Sequence, residues 1–327
     1  MRAAVLQEHG RAPEINELPD PKAGDDEALI AVTTAPITPL DILCASGSSY
    51  FGKPAVPYVP GVQGVGVLAE DCAAGAAGTR VWFPTTAGMR PGNGSMAEYC
   101  VAPAHEVVAL PDGVDDVQVA ALGLSAVAAW MALTWRAGMR PGEQVLVLGG
   151  GGTVGQVAVQ AARILGARRV VAACRSKEAQ QVVREAGADA MVPILDGDDW
   201  PTLAYRMFVM SEGEGYDVVI DPLGGVPATA AAWVLASHGR LVNLGSAAGS
   251  TASFESERLR SRSAAILGYT NNDLSNEQRR SALLEVLGHA AAGRIRVQHE
   301  TVPLDELPAA WTRQAAGAAK RRIVVRL

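Results

Sequence analysis

Residues 145–155 limit the possible folds of this chain more than any other stretch. Val145, Leu146, Val147 and Leu148 are consecutive apolar residues with no polar alternation, the pattern of a strand buried on both faces of a parallel sheet. Gly149, Gly150, Gly151 and Gly152 follow at once, then Thr153, Val154 and Gly155. Val157, Ala161, Ile164 and Leu165 next fall on one stripe, which predicts a helix over 154–166. Strand, glycine turn and helix together suit a diphosphate. Backbone without side chains lets it approach, and the unpaired N–H groups of the helix start point at it. Gly150-x-Gly152-x-x-Gly155 has the spacing of a dinucleotide fingerprint, and so does the overlapping Gly149-x-x-Gly152-x-x-Gly155. Glycine fills 35 of 327 positions, so spacing alone is a weak signal. The preceding strand, the following helix and a second strand at 170–173 make it specific.

Around this stretch strands and helices alternate. Strands are expected at 145–148, 170–173, 190–192, 217–220, 240–244 and 264–267, and helices at 154–166, 177–187, 199–210 and 226–237. Such alternation specifies an α/β fold, a doubly wound parallel sheet of the Rossmann type, over 119–268. Residues 1–118 read differently. Short apolar runs at 29–34, 64–69, 80–83 and 96–101 are separated by Gly and Pro turns, the pattern of a small, mostly antiparallel β-barrel. An Ala-rich helical segment over 117–136 joins the two. Residues 269–327, with a helix over 275–292 and a strand at 323–325, are expected to return to the first domain. No internal repeat, linker or low-complexity tract interrupts this plan.

Bulk properties exclude several function classes. A net charge of −6 argues against nucleic acid or an anionic membrane as partner. No apolar run is read as long enough to span a bilayer, and residues 1–6 carry no secretory pattern. Cys44, Cys72, Cys100 and Cys174 are scattered without a Cys-x-x-Cys pair, as reduced thiols of a cytoplasmic protein would be. His9, His105, His238, His289 and His299 show no ligand spacing, so each reads as an ordinary core or surface histidine. Gly245-Ser246 lacks the spacing of a nucleophile elbow, and Arg258, Arg260 and Arg262 read as a solvated basic loop.

From end to end the chain resembles the medium-chain dehydrogenase/reductase superfamily, and within it the zinc-free quinone reductase branch. Met1 to Leu6 resembles the family's opening strand. Asp41, Gly47 and the segment from Pro60 to Val67 sit where the family has its Asp and its Pro-Gly-x-Glu-x-x-Gly run. Val145 to Gln160, Tyr216 to Asp221, Gly239 to Gly245 and Arg322 to Val325 resemble its later strands in order and spacing. The resemblance implies a GroES-like catalytic domain beside the Rossmann domain. It also implies where metal-dependent relatives hold zinc; those positions here are Thr38, Val62, Gln63 and Leu124. Zinc takes thiolate, imidazole or carboxylate, so no metal site is expected.

Cofactor choice follows from the end of the second strand. An NAD enzyme places a carboxylate there for the ribose 2′-hydroxyl. This chain has Cys174, then Arg175, Ser176 and Lys177, a set that suits a 2′-phosphate, so the expected cofactor is NADPH. Leu244, Gly245, Ser246 and Tyr269 follow later strands and join the cofactor-binding set with Gly149, Gly150, Gly152, Thr153, Val154 and Gly155. Without a metal, hydride delivery suits an already electron-poor carbon, such as a quinone ring or an enone. The resemblance implies two catalytic residues. Tyr50, one residue out of register with a cleft Tyr of quinone and enoyl reductases, is the expected donor to the developing oxyanion, with packing of Tyr50 or Tyr58 at a loop as the open alternative. Thr38 stands where quinone reductases carry Asn near the nicotinamide ribose. Asp41 joins them, with a backbone-fixing role favoured over proton transfer.

Two features depart from the family. Thr38 replaces the Asn, and Ala128-Ala129-Trp130 stands where relatives have Thr-Ala-Tyr, with Ser125 as a possible substitute one turn earlier. They keep open a non-redox binding protein, or a biosynthetic enzyme that does not consume the cofactor. Ile37, Leu43, Phe51, Val62 and Leu124 suggest a small, largely apolar substrate. The resemblance further implies a homodimer paired through the edge strand running from Ala264 to Gly268.

Overall fold

The computed structural model describes all residues, 1–327. The chain forms β1 (Arg2–Val5), β2 (Glu14–Glu17), β3 (Glu27–Pro36), α1 (Pro39–Ala45), β4 (Gln63–Leu68), β5 (Arg80–Pro84), β6 (Tyr99–Pro103) and β7 (Val108–Ala109). Next come α2 (Asp116–Met131), β8 (Gln144–Leu148), α3 (Thr153–Ile164), β9 (Arg169–Cys174), α4 (Lys177–Glu185), β10 (Ala190–Pro193), α5 (Trp200–Met210) and β11 (Tyr216–Asp221). They are followed by α6 (Gly225–Trp233), β12 (Leu235–Asn243), α7 (Ser256–Arg262), β13 (Ala265–Gly268), α8 (Asn276–Ala291), β14 (His299–Pro303), α9 (Leu307–Ala315) and β15 (Arg322–Arg326). It divides into two compact units, Met1–Leu124 with Val297–Leu327, and Ser125–Arg296.

The first unit is organised on β3, whose inward positions Ala28, Ile30, Val32 and Thr34 alternate with more exposed ones. One edge of β3 pairs with β4; the other takes β6 over residues 27–31 and then β15 over 34–36. The ladder runs β14-β15-β3-β4-β5-β7, antiparallel except for β14 with β15. The expected barrel needs correction, because no ladder joins β14 to β7. Closure requires a last strand long enough to carry a staggered register, and β7 has only Val108 and Ala109. Two apolar clusters cover the sheet. One contains Leu6, Ile37, Val59, Met96 and Trp311, the other Ile30, Leu68, Val81 and Phe83.

The second unit is a six-stranded parallel sheet, β10-β9-β8-β11-β12-β13, and its order reverses between β8 and β11. β8 is buried at every residue, as its unbroken apolar run predicts. Leu146, Leu148, Val171, Val219 and Leu241 pack against Leu203, Met207, Ala230 and Ala231 of α5 and α6.

Three further expectations are corrected. A helix predicted over 226–237 ends at Trp233, because the buried Leu235 pairs with Tyr216 and starts β12 early. The ladder then slips, with His238 at φ 60, and resumes at Val218 opposite Arg240. Residues 269–296 belong to the second unit rather than the first. There α8 buries Leu283, Val286 and Leu287, its Glu285 accepts from Trp130 Nε1 at 3.1 Å, and its His289 lies against the Trp130 ring. Finally, the helical stretch Asp116–Arg136 is long and apolar enough by composition to cross a membrane, contrary to the sequence expectation. Its apolar window is 78% buried within the protein, and Gly123 breaks it at φ 33, ψ −134.

Candidate functional site

The phosphate turn begins where β8 ends. Gly149 adopts φ +62, a left-handed conformation open to glycine, and its carbonyl accepts from the Gly152 amide at 3.0 Å. The Gly150 amide bonds the Ala173 carbonyl of β9 at 3.1 Å. Three of the following glycines are imposed by the protein's own packing. A Cβ on Gly150 would lie 2.7 Å from Val183, one on Gly151 would lie 2.5 Å from Ala179 Cβ, and one on Gly155 would lie 2.4 Å from the Gly149 carbonyl oxygen. Gly152 is different. Its φ is −73, and an added Cβ would meet nothing closer than that same carbonyl oxygen at 3.4 Å. Nothing in the fold demands a glycine there, which is what a backbone kept clear for a ligand looks like.

Gly152 is also the N-cap of α3, and no side chain caps that helix. The amides of Thr153, Val154 and Gly155 have no intrahelical acceptor, and no acidic side chain occupies the first turn. The turn therefore offers an electropositive set of main-chain donors over bare backbone, and a dinucleotide diphosphate fits it.

At the end of β9, Cys174 is buried and its thiol is pushed up to about 11 by that burial, so it is a packed wall rather than a reactive group. Ser176 caps α4, its Oγ accepting from the Ala179 amide at 3.0 Å while its proton remains free to donate. Arg175 and Lys177 are exposed and make no hydrogen bond or ion pair. Two cations and a hydroxyl thus stand together at the carboxyl end of the strand beside β8.

The remaining strand ends are tied together by Asp221, to which sequence reasoning gave no role. Its Oδ1 accepts from the Leu223 and Gly224 amides, both at 2.9 Å, and its Oδ2 from Asn243 Nδ2 at 2.7 Å. Burial pushes this carboxyl up from its ordinary value, while Asn243 and the two amides pull the other way. The Leu244 amide bonds the Asp221 carbonyl at 2.9 Å, and Asn243 Nδ2 also reaches the Gly245 carbonyl at 2.9 Å. Gly245 must be glycine, since a Cβ there would sit 2.6 Å from the Pro222 carbonyl oxygen. The Tyr269 amide joins this group through the Asn243 carbonyl at 2.9 Å, and its phenol bonds Asn271 Oδ1 at 2.7 Å. The expected cofactor residues Gly149, Gly150, Gly152, Thr153, Val154, Gly155, Cys174, Arg175, Ser176, Lys177, Leu244, Gly245, Ser246 and Tyr269 all lie at or just beyond carboxyl ends of parallel strands. In open α/β sheets this is the edge where ligands bind.

The first unit treats its expected catalytic residues less kindly. Asp41 is only 2% exposed. Its Oδ2 accepts from the Thr38 amide at 2.8 Å and the Thr38 hydroxyl at 2.6 Å, and its Oδ1 from the Gly61 and Val62 amides at 3.1 and 2.9 Å. Burial pushes the carboxyl up, whereas these donors and the charge of Arg322 pull it down. Every acceptor direction is occupied, so Asp41 fixes the start of α1 against the chain entering β4 and is not a proton-transfer group. Thr38 is corrected with it, because its hydroxyl is the N-cap of α1 and gives its single proton to Asp41. Burial pushes the Arg322 guanidinium down to about 10 against the field of Asp41, and its Nη1 bonds the Ile37 carbonyl at 2.8 Å. Tyr50 is 77% exposed, lies against the Phe51 ring at 4.2 Å, and makes no hydrogen bond through its phenol. Of the apolar residues expected to meet substrate, Ile37 and Val62 are core, which leaves Leu43, Phe51 and Leu124 accessible.

Gln63 explains the break in α2. Its Oε1 accepts from Trp82 Nε1 at 3.0 Å and from the Leu124 amide, just past the kink, at 2.7 Å. A Cβ on Gly123 would lie 2.0 Å from that oxygen. The positions matching a zinc site are thus a committed hydroxyl, a core Val, a committed amide and Leu124. No three His, Cys, Asp or Glu side chains converge anywhere. This donor set does not fit zinc.

Two family models match the chain: an alcohol dehydrogenase GroES-like domain over residues 24–112 and a zinc-binding dehydrogenase domain over 153–287. Human quinone oxidoreductase is 31% identical over 255 residues, covering 75% of this chain and 73% of its own. The chain belongs to the medium-chain dehydrogenase/reductase superfamily, in its quinone oxidoreductase-like branch. Among its superfamily relatives an alcohol dehydrogenase of Geobacillus stearothermophilus is 28% identical over 100% of this chain and 99% of its own. A solved mycobacterial protein complexed with NADPH superposes with a TM-score of 0.88 at 25% identity, covering 100% of both chains. Membership makes this protein an oxidoreductase with the two-domain fold of the superfamily.

Proposed function

We propose that this chain is a zinc-independent, NADPH-dependent reductase that delivers hydride to a quinone or an activated C=C bond of a small, largely apolar substrate. The single observation that carries the cofactor half is Gly152, a glycine with ordinary φ and open space over uncapped amides. Arg175, Ser176 and Lys177 favour NADPH over NADH, because a 2′-phosphate gives two unpartnered cations a charge-assisted partner. The quinone oxidoreductase relatives, and the mycobacterial relative complexed with NADPH, lend this reading further support.

Bound NADPH would supply the hydride. The chain's own part is to hold the diphosphate on the amides of residues 153–155 and the 2′-phosphate on Arg175 and Lys177. Gly245 and Ser246, just beyond β12, would pass alongside the bound nucleotide. With no fitting metal donors, oxyanion charge falls to a hydrogen-bond donor, and Tyr50 is the candidate with a free phenol. The four free cysteines suit the reducing cytoplasm in which we place the enzyme.

Substituting Gly152→Ala tests the cofactor site, because the added methyl strains little in the fold but enters the diphosphate's space. NADPH affinity, read by nicotinamide fluorescence, is expected to fall roughly tenfold or more, with the melting temperature nearly unchanged. Wild-type affinity in a well-folded Gly152→Ala protein would overturn the assignment. A panel of quinones, enones and simple aldehydes followed at the reduced nicotinamide band then reads the substrate class. Cofactor binding with no oxidation by any of them would favour a non-redox role.

A further inference from the structure

The basic run Arg258, Arg260 and Arg262 is not the uniformly solvated loop that its sequence suggests. Arg260 bonds Ser256 Oγ at 2.6 Å and Arg262 the Leu235 carbonyl at 3.0 Å. Arg258 is partly buried: its Nε donates to the Trp233 carbonyl at 2.8 Å, and its guanidinium carbon stands 4.3 Å from the centre of the Trp233 ring. One hydrogen bond and one ring contact hold the guanidinium plane, while its two Nη groups make no hydrogen bond.

That held fork forms one wall of a half-enclosed cavity of about 220 Å³, whose other walls include Trp200, Trp233, Phe254 and Thr229. None of residues 149–155, 174–177 or 244–246 lines it. We propose that this cavity is a second ligand site, which takes a monocyclic aromatic carboxylate with its ring against Trp200, Trp233 and Phe254 and its carboxylate on Arg258.

Size, shape and charge each restrict the ligand. A cavity of about 150 Å³ holds benzene, so this one admits a single substituted ring and excludes a dinucleotide. Three aromatic walls give a flat ring its stacking and edge contacts. A planar guanidinium with its plane already held matches a carboxylate through two parallel hydrogen bonds, with little ordering cost on binding. Glu255 also lines the cavity and makes no side-chain hydrogen bond, its charge acting on Arg258 without a direct ion pair. Its charge disfavours a dianion and favours a ring that carries a hydroxyl or amino donor beside its one carboxylate. The site is independent of the proposed reductase activity.

Calorimetric titration of the full chain with 4-hydroxybenzoate, and with benzyl alcohol as the neutral comparison, tests it. The expected result is one 4-hydroxybenzoate per chain, bound at least roughly tenfold tighter than benzyl alcohol and unchanged by saturating NADPH. Arg258→Gln is expected to weaken this binding by about tenfold or more. Should Arg258→Gln fail to melt cooperatively, Ser253→Trp, which fills the cavity from an exposed loop position, is expected to abolish binding instead. No heat up to roughly 5 mM ligand, undiminished binding in the variants, or displacement by NADPH would overturn the proposal.

Discussion

In the proposed NADPH-dependent reading, Arg175 and Lys177 would set the nucleotide preference through charge alone, since neither is held by another protein group. Reversing one cation removes an attraction and adds a repulsion, but only for a ligand with a phosphate at that position. Arg175→Glu is therefore expected to weaken NADPH binding by roughly tenfold or more and NADH binding far less. Parallel titrations with both nucleotides check this, and equal losses would remove the 2′-phosphate assignment. Hydrogen bonding likewise separates Tyr50 from Asp41 and Thr38. All three are polar residues near one another in sequence, but two of them spend their hydrogen-bonding capacity on each other and on main-chain amides.

At the scale of elements, two polar side chains hold strands and helices in place. Gln63, at the start of β4, accepts from both Trp82 Nε1 and the Leu124 amide just past the break in α2. Gln63→Leu removes the acceptor of the buried Trp82 Nε1 and is expected to cost about 1–3 kcal/mol, read as a lowered denaturation midpoint. A midpoint unchanged from wild type would show that Trp82 Nε1 is satisfied by something else. Glu143, just before β8, grips Arg240 of β12 through two bonds of 2.9 Å, with both side chains 18% exposed. Burial pushes the Glu143 carboxyl up, but Arg240 and the Arg140 amide outweigh it, and its pKa lies below the ordinary 4.5. A depressed carboxylate stabilises the fold above the unfolded-state value and loses that contribution as pH falls through the folded one. Glu143→Gln is thus expected to be about 1–2 kcal/mol less stable at neutral pH and to converge on wild type well below pH 4.5. An equal deficit at neutral pH and at about pH 3 would contradict the pairing.

For the whole molecule, β13 is the last strand of the parallel sheet and pairs only with β12, so its outer edge presents unpaired backbone. Natural sheets cover or pair such edges. We expect two copies to pair there about a two-fold axis, so that light scattering reads twice the 33.9 kDa of one chain. A single-chain mass at micromolar concentration would rule that assembly out. The two-unit division carries a related lesson. Residues 269–296 lie in the second unit because Trp130, on the far side of the α2 break, offers α8 a hydrogen bond and a ring contact.

The sequence by itself determined the features that depend on local periodicity and on what a bare backbone permits. These are the alternating strands and helices of the second unit, the glycine turn after β8, the cations beyond β9 and the lack of zinc-type donors at the matching positions. All but the last are properties of a few consecutive residues, which spacing exposes; the zinc-matching positions 38, 62, 63 and 124 are scattered, and the family resemblance points to them. The tertiary structure decided the rest, because it turns on partners far apart in the chain. Asp41 could be assigned its role only after Gly61 and Val62 closed around it, and Arg258 only after Trp233 met its guanidinium. Gly150, Gly151 and Gly155 look like Gly152 in sequence. Only the approach of Val183, Ala179 and the Gly149 carbonyl shows that packing demands those three glycines, whereas nothing in the fold demands one at 152.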